Sequence, residues 1–117
     1  MKEPQAKDVM TEGVVAIDEN ASVKEAAKKM RGEGIRSIIV ISDKDVVGIV
    51  VDRDITYSVT AEGKDPSEVK IKEIMSSDLI TASEGDNIED IARAMVQNNI
   101  SRVPVLRGDK LLGLISQ

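Results

Sequence analysis

The chain repeats itself. Lys7–Asp52 lies over Lys72–Gln117 at a constant offset of 65 positions with no gap. The pairs Lys7/Lys72, Met10/Met75, Glu19/Glu84, Ala27/Ala92, Met30/Met95, Ile35/Ile100, Val40/Val105 and Gly48/Gly113 are identical. Elsewhere one aliphatic replaces another, as in Val9/Ile74, Val23/Ile88 and Ile49/Leu114. Two units this similar are expected to pack on each other about a pseudo-twofold axis. That arrangement creates two equivalent clefts, and clefts between units are where small ligands bind.

Within each repeat the pattern predicts strand, helix, strand, strand. The apolar runs Val14–Ile17 and Leu79–Ala82 read as short first strands. Ser22 and Glu25 have capping-box spacing, and Val23, Ala26, Ala27 and Met30 fall on one helical face. Asn87 caps the second helix, whose Ile88, Ile91, Ala92 and Met95 repeat that stripe. Gly32, Gly34, Asn98 and Asn99 supply stop signals. Ser37–Ile41 with Val46–Val51, and Val103–Leu106 with Leu111–Ile115, have the continuous aliphatic character of buried strands joined by tight turns. Asp52–Glu62 reads as a further helix with Ile55 and Val59 on one face. Gly63–Ser67 contains the Gly and Pro that interrupt regular structure. The expected division is therefore a first unit over residues 1–63, a linker over 64–71 and a second unit over 72–117. The second unit stops where its counterpart of the Asp52–Glu62 helix would begin.

Composition narrows the chemistry. The chain has no Cys, which excludes disulfides and thiolate metal sites, and no His, which removes the commonest general base and most zinc chemistry. No glycine-rich phosphate loop or paired acid/base signature is present, so an enzyme is not expected. The 16 basic and 21 acidic residues are mixed, for a net charge of -5, and Tyr57 is the lone aromatic. Nucleic acid, which needs clustered cations or stacking platforms, is not an expected partner. No apolar run approaches the ~20 residues that cross a bilayer, and the charged start lacks the apolar core of a signal peptide. A cytoplasmic protein without membrane contact is the expectation.

The openings Val9-Met10-Thr11 and Ile74-Met75-Ser76, the segment Ile100–Val105 and the segment Gly48–Ile55 together resemble a tandem pair of CBS (cystathionine-β-synthase) domains, a Bateman module. The resemblance covers essentially the whole chain. It implies an α+β fold of two β-α-β-β-α units packed sheet to sheet, the second lacking its last helix. It also implies a homodimer of modules and regulation of an unidentified effector protein. The implied ligand is an adenosyl compound: AMP, ADP, ATP or S-adenosylmethionine.

In nucleotide-binding members of that family the last strand is followed by Gly, two apolar residues, Ser or Thr, two more residues and Asp. Asp54 matches the ribose-binding Asp, with Arg53 as a nearby cation. Val51 stands where the hydroxyl is usual. The resemblance implies that Arg36, Ile49 and Val50 join this cleft and that the other unit lends Ile80, Ser101 and Arg102. The second cleft would take Val15, Ser37 and Ser116. Its Asp would fall beyond Gln117, so it is expected to be degenerate.

Each residue also has a plainer role. Asp52 and Asp54 suit the first turn of a helix, where a negative charge is favourable by about 0.3–1 kcal/mol. With no third ligand evident, the two acids predict no metal site. Arg36 and Arg102 face either the cleft or solvent, and Ser101 could satisfy strand-end backbone. Ile49, Val50 and Ile80 are core residues with an added role as aliphatic walls for a purine. Gly48 and Gly113 suit bulges or close approach of a ligand. Two functions follow: a regulatory sensor of an adenosyl ligand without a resident cofactor, or an interaction and oligomerisation module with vestigial clefts.

Overall fold

The computed structural model describes residues 3–116. Gln117, and with it the expected end of the second repeat, lies outside them. The fold is α+β, with two three-stranded sheets of identical topology. The elements are α1 (Ala6–Val9), β1 (Ala16–Asp18), α2 (Val23–Glu33), β2 (Ser37–Ser42), β3 (Asp45–Val51), α3 (Asp52–Ile55), β4 (Ala82–Ser83), α4 (Ile88–Asn98), β5 (Arg102–Arg107) and β6 (Lys110–Ser116). In one sheet β1 pairs in parallel with β2, which pairs antiparallel with β3; β4, β5 and β6 repeat the arrangement.

The caps explain where the helices start and stop. Ser22 accepts from the Glu25 amide, and Asn87 accepts from the Glu89 amide. Both helices end on a left-handed residue, Gly34 and Asn99, each returning its amide to carbonyls of the last turn. The apolar stripes face inward: Val23, Ala26 and Met30 on α2, and Ile91 and Met95 on α4, are buried.

The compact units are not the two halves of the sequence. Val15–Leu79 forms one unit, and the segment up to Val14 joins the segment from Ile80 onward to form the other. Each leading segment thus belongs with the sheet of the other repeat, through contacts that recur 65 positions apart. Thr11 bridges Leu114, and Ser76 bridges Ile49; Gln5 bridges Asn87, and Lys70 bridges Ser22. The Ile88 amide donates to the Pro4 carbonyl at 3.0 Å, as the Val23 amide donates to that of Val69 at 2.8 Å. These bonds serve a definite need, because the first amides of a helix have no partner within it.

The 64–71 stretch consequently does more than connect. Val69 and Ile71 are buried in the core of the Val15–Leu79 unit with Ile17, Val23, Met30, Ile38, Val40 and Val50. The Lys24 amide donates to the Pro66 carbonyl, so the second amide of α2 is satisfied from the same stretch. The other core gathers Ala6, Ala82, Ile91, Met95, Val103, Val105 and Ile115.

Two local features depart from expectation. The first strands sit later than the apolar runs that announced them, at Ala16–Asp18 and Ala82–Ser83. Short parallel strands are bounded by what β2 and β5 can pair with, and apolar content does not set that. The Asp52–Glu62 segment is a helix whose middle widens. After α3, residues Thr56–Thr60 form a π-type turn in which the Ala61 amide reaches the Thr56 carbonyl. Val59 is buried from this turn, and Tyr57 is exposed. No helix among the described residues is long and apolar enough to cross a membrane.

Candidate functional site

The sequence-predicted residues of the Val15–Leu79 unit gather where β3 gives way to α3. Val51, the last residue of β3, is the N-cap of α3 and lies opposite Ser37 in the sheet. Its amide donates to Asp54 Oδ2 at 2.9 Å, so one carboxylate oxygen of Asp54 secures the strand-to-helix turn. Oδ1 makes no hydrogen bond to the described residues. The adjacent Asp52 amide donates to the Arg36 carbonyl at 2.9 Å, tying the start of β2 to the same turn. Val15 joins the sheet edge through its carbonyl, which accepts from the Ile39 amide.

Exposure separates these side chains into two groups. Arg36 and Arg53 are exposed, and Asp54 and Val51 are half-buried. Among the described residues neither guanidinium has a carboxylate partner. Ile49 and Val50 are buried, Val50 completely, as part of the core. Val50 therefore contributes packing behind the turn, and its side chain offers no surface to a ligand. What remains is a short polar rim with one unengaged carboxylate oxygen and two unengaged cations. That set can accept from a hydroxyl pair and grip an anion.

Asp52 is occupied otherwise: its Oδ1 accepts from the Arg53 amide at 2.9 Å. Among the described residues no cluster of three or more acidic side chains is placed to hold a metal.

The other unit carries the counterpart turn. Arg102 lies opposite Ser116 at the end of the sheet, as Ser37 lies opposite Val51. By offset Ser101 stands where Arg36 stands in the first repeat, and Arg102 where Ser37 stands. Cation and hydroxyl have exchanged places. The Arg102 guanidinium donates to the Ser101 hydroxyl at 2.8 Å, so these two side chains are engaged with each other. Ser116 is exposed and Ile80 half-buried. Ile80 lines a cavity of about 310 Å³ with Thr81, Asp86, Asn87, Asp90 and Ala94, whose polar rim is acidic. Ser101, Arg102 and Ser116 do not line it.

Gly48 and Gly113 sit beside sheet bulges, one of the two roles expected of them, and they also make room for a neighbouring side chain. A Cβ on Gly48 would stand 2.5 Å from the sulfur of Met75, and one on Gly113 would stand 2.7 Å from that of Met10. The close approach is by methionine, and sheet bulges follow immediately at Val40/Ile41 and Val105/Leu106 opposite these glycines. The signal is present in the sequence, where Met10/Met75 and Gly48/Gly113 are both identical pairs.

Comparison with known proteins identifies the family and the fold. The family model "CBS domain" matches residues 6–60 and again 71–117. The CBS domain-containing protein YhcV of Bacillus subtilis is 31% identical over 94% of this chain and 78% of its own length. A hexameric CBS-CP12 protein from bloom-forming cyanobacteria superposes with a TM-score of 0.88 at 38% identity, covering 97% of this chain and 64% of that one. The CBS domain pair of protein MJ0100, solved in complex with 5'-methylthioadenosine and S-adenosyl-L-methionine, gives a TM-score of 0.86 at 28% identity over 98% of this chain and 90% of that one. The chain belongs to the CBS-domain family and carries two CBS domains in tandem.

Proposed function

We propose that this CBS pair is a regulatory, non-catalytic module that binds an adenosyl ligand at the β3–α3 turn, with Asp54 as its anchor. The observation that carries the reading is the half-engaged Asp54 carboxylate. Oδ2 fixes the turn, and Oδ1 is left to accept from a ribose diol. Arg36 and Arg53 supply charge for a phosphate or for the carboxylate of S-adenosylmethionine. The complex of the MJ0100 pair with two adenosyl compounds supports this class of ligand. Val51 in place of a hydroxyl residue favours ligands whose phosphate contact comes from the arginines alone. The ligand regulates only insofar as it prefers one arrangement of the protein over another.

A thermal-denaturation series with AMP, ADP, ATP, S-adenosylmethionine and 5'-methylthioadenosine tests the proposal. Binding to the folded state raises Tm progressively with ligand concentration, by about 2.7 kcal/mol of stability at a hundredfold excess over Kd. A melting temperature unmoved by any of them at millimolar concentration would overturn it.

We also propose that the module self-associates, the smallest assembly being a homodimer. Val96 is 72% exposed in the last turn of α4, an unusual place for a β-branched apolar residue. The hexameric assembly of the CBS-CP12 protein supports association as a property of related chains.

A further inference from the structure

The two repeats fill one equivalent place differently. In the first, Lys29 reaches back from α2 and donates its ammonium to the Ala16 carbonyl at 2.9 Å. Ala16 opens β1, which pairs with β2 alone, and an edge strand leaves backbone groups without a strand partner. At the 65-residue offset Lys29 becomes Ala94 and Ala16 becomes Thr81. The second repeat keeps the edge strand and the helix but has no ammonium to set between them. The cavity of about 310 Å³ that Thr81 and Ala94 line stands in that place.

Two further differences suit the cavity to a cation. Asp86 replaces Ala21, while Asp90 keeps the acid that is Glu25 in the first repeat. One acid with one lysine thus becomes two acids with no lysine, and no cationic residue lines the cavity. Among the described residues Asp86 Oδ2 accepts from the Ser83 amide at 2.8 Å, and Asp90 Oδ1 accepts from Arg93 at 3.2 Å. The other oxygen of each carboxylate accepts no hydrogen bond from them. Pro104 replaces Ile39, whose amide serves the Val15 carbonyl at 3.2 Å. Proline has no N–H, so the Ile80 carbonyl at the cavity lacks the donor that its counterpart has.

The structure assigns this cavity to a small alkyl diamine, one ammonium of which takes the position that Lys29 holds in the first repeat. The lining fits both parts of such a molecule. Ile80, Ile91 and Val103 offer an apolar wall to the methylenes, and Asp86 and Asp90 offer charge for two ammonium groups. A hard metal ion would need six or more oxygen ligands, which two carboxylates beside an apolar wall do not supply. The site is independent of the proposed adenosyl site, whose Asp54 belongs to the Val15–Leu79 unit.

The probes are 1,4-diaminobutane and n-butylammonium, the latter being the lysine side chain itself, titrated into the 15N-labelled chain at constant ionic strength. Sodium chloride and magnesium chloride serve as controls. The assignment predicts saturable amide shifts at Thr81, Asp86, Asp90 and Ala94 at millimolar diamine, weaker binding of butylammonium, and no matching shifts at Ala16, Glu25 and Lys29. Ala94→Lys supplies the missing ammonium from the chain, so it should abolish diamine binding and raise Tm. Asp90→Asn should weaken binding by about threefold to fivefold, the worth of one solvent-exposed ion pair. Circular dichroism confirms that both variants are folded. Absent shifts, or equal shifts with either salt, would overturn the assignment. Binding that persists unchanged in folded Ala94→Lys, or in folded Asp90→Asn, would place the diamine elsewhere and overturn it as well.

Discussion

The sulfur of Met75 occupies the space that a side chain on Gly48 would need, 2.5 Å from the ideal Cβ position. Met75 belongs to the segment that leads the second repeat, and Gly48 lies in the last strand of the first. The contact is reinforced by the backbone, where Ile49 and Ser76 exchange hydrogen bonds of 3.0 and 2.9 Å. The absent side chain at Gly48 is therefore what lets the leading segment dock on the sheet edge.

Gly48→Ala is expected to destabilise the fold by about 1–3 kcal/mol, the usual cost of overpacking a filled site. Met75 Cγ and Cβ also lie close, at 2.8 and 3.1 Å, so rotating the sulfur away does not clear the space. Chemical denaturation measures the loss, and adding Met75→Ala should recover part of it. Gly113→Ala should cost more, because there the added methyl also meets the Thr11 carbonyl oxygen at 2.8 Å. Equal costs at the two positions would show that backbone proximity is unimportant.

The helix caps give a second expectation. Ser22→Ala and Asn87→Ala each remove a side-chain acceptor for a first-turn amide, at 3.1 and 2.7 Å. Each should lower stability by about 1 kcal/mol, with Gly at the same positions costing only a few tenths. Thermal melts of the four variants check the order.

Acid should weaken one specific contact. Arg107 grips both oxygens of Glu84 at 2.8 Å, and this hydrogen bonding holds the Glu84 carboxyl below its ordinary value. The depressed carboxyl contributes its stability above the ordinary glutamate value of about 4.3 and loses it as pH falls below that. The pair is largely open to solvent, so the effect is small and screened by salt. Comparing wild type with Arg107→Leu from pH 6 to pH 3 should give stability curves that converge in acid. A constant separation would show that the pair does not titrate.

Val51→Thr tests the phosphate side of the proposed site. The backbone there is extended, at φ −109° and ψ 163°, which threonine adopts readily. A hydroxyl at this position should strengthen binding of AMP or ATP by roughly tenfold, the value of one hydrogen bond to a charged group. Binding of 5'-methylthioadenosine, which has no phosphate, should not change. A uniform gain across all ligands would point to packing instead.

The elements that sequence made legible are those with a period and a cap. Val23, Ala26 and Met30 at helical spacing behind Ser22, and the aliphatic runs of β2, β3, β5 and β6, appear where they were expected. The turn carrying Asp54 was legible as a helix start with acids in its first turn. Less legible was the ownership of the leading segments. A repeat alignment says that residues 4–11 and 69–76 are equivalent, but not which sheet each one joins. Gly63 and Pro66 made the 64–71 stretch read as a linker, although Val69 and Ile71 are core residues. The engagement of Arg102 with Ser101 was also hidden, because neighbours in sequence give no sign that their side chains will bond each other.

The claim at the centre is that Asp54 anchors an adenosyl ligand through the oxygen its turn leaves unused. Calorimetric titration of wild type, Asp54→Ala and Asp54→Asn with the adenosyl compound that most raises Tm tests it most directly. Asp54 also caps α3, so folding of each variant is checked by denaturation before titration. The account predicts a saturable heat for wild type and affinity weakened by about 10–100-fold in Asp54→Ala, consistent with losing hydrogen bonds to a charged acceptor. Asp54→Asn, which keeps one acceptor oxygen without the charge, should fall between. A folded Asp54→Ala variant that binds as tightly as wild type would contradict the account.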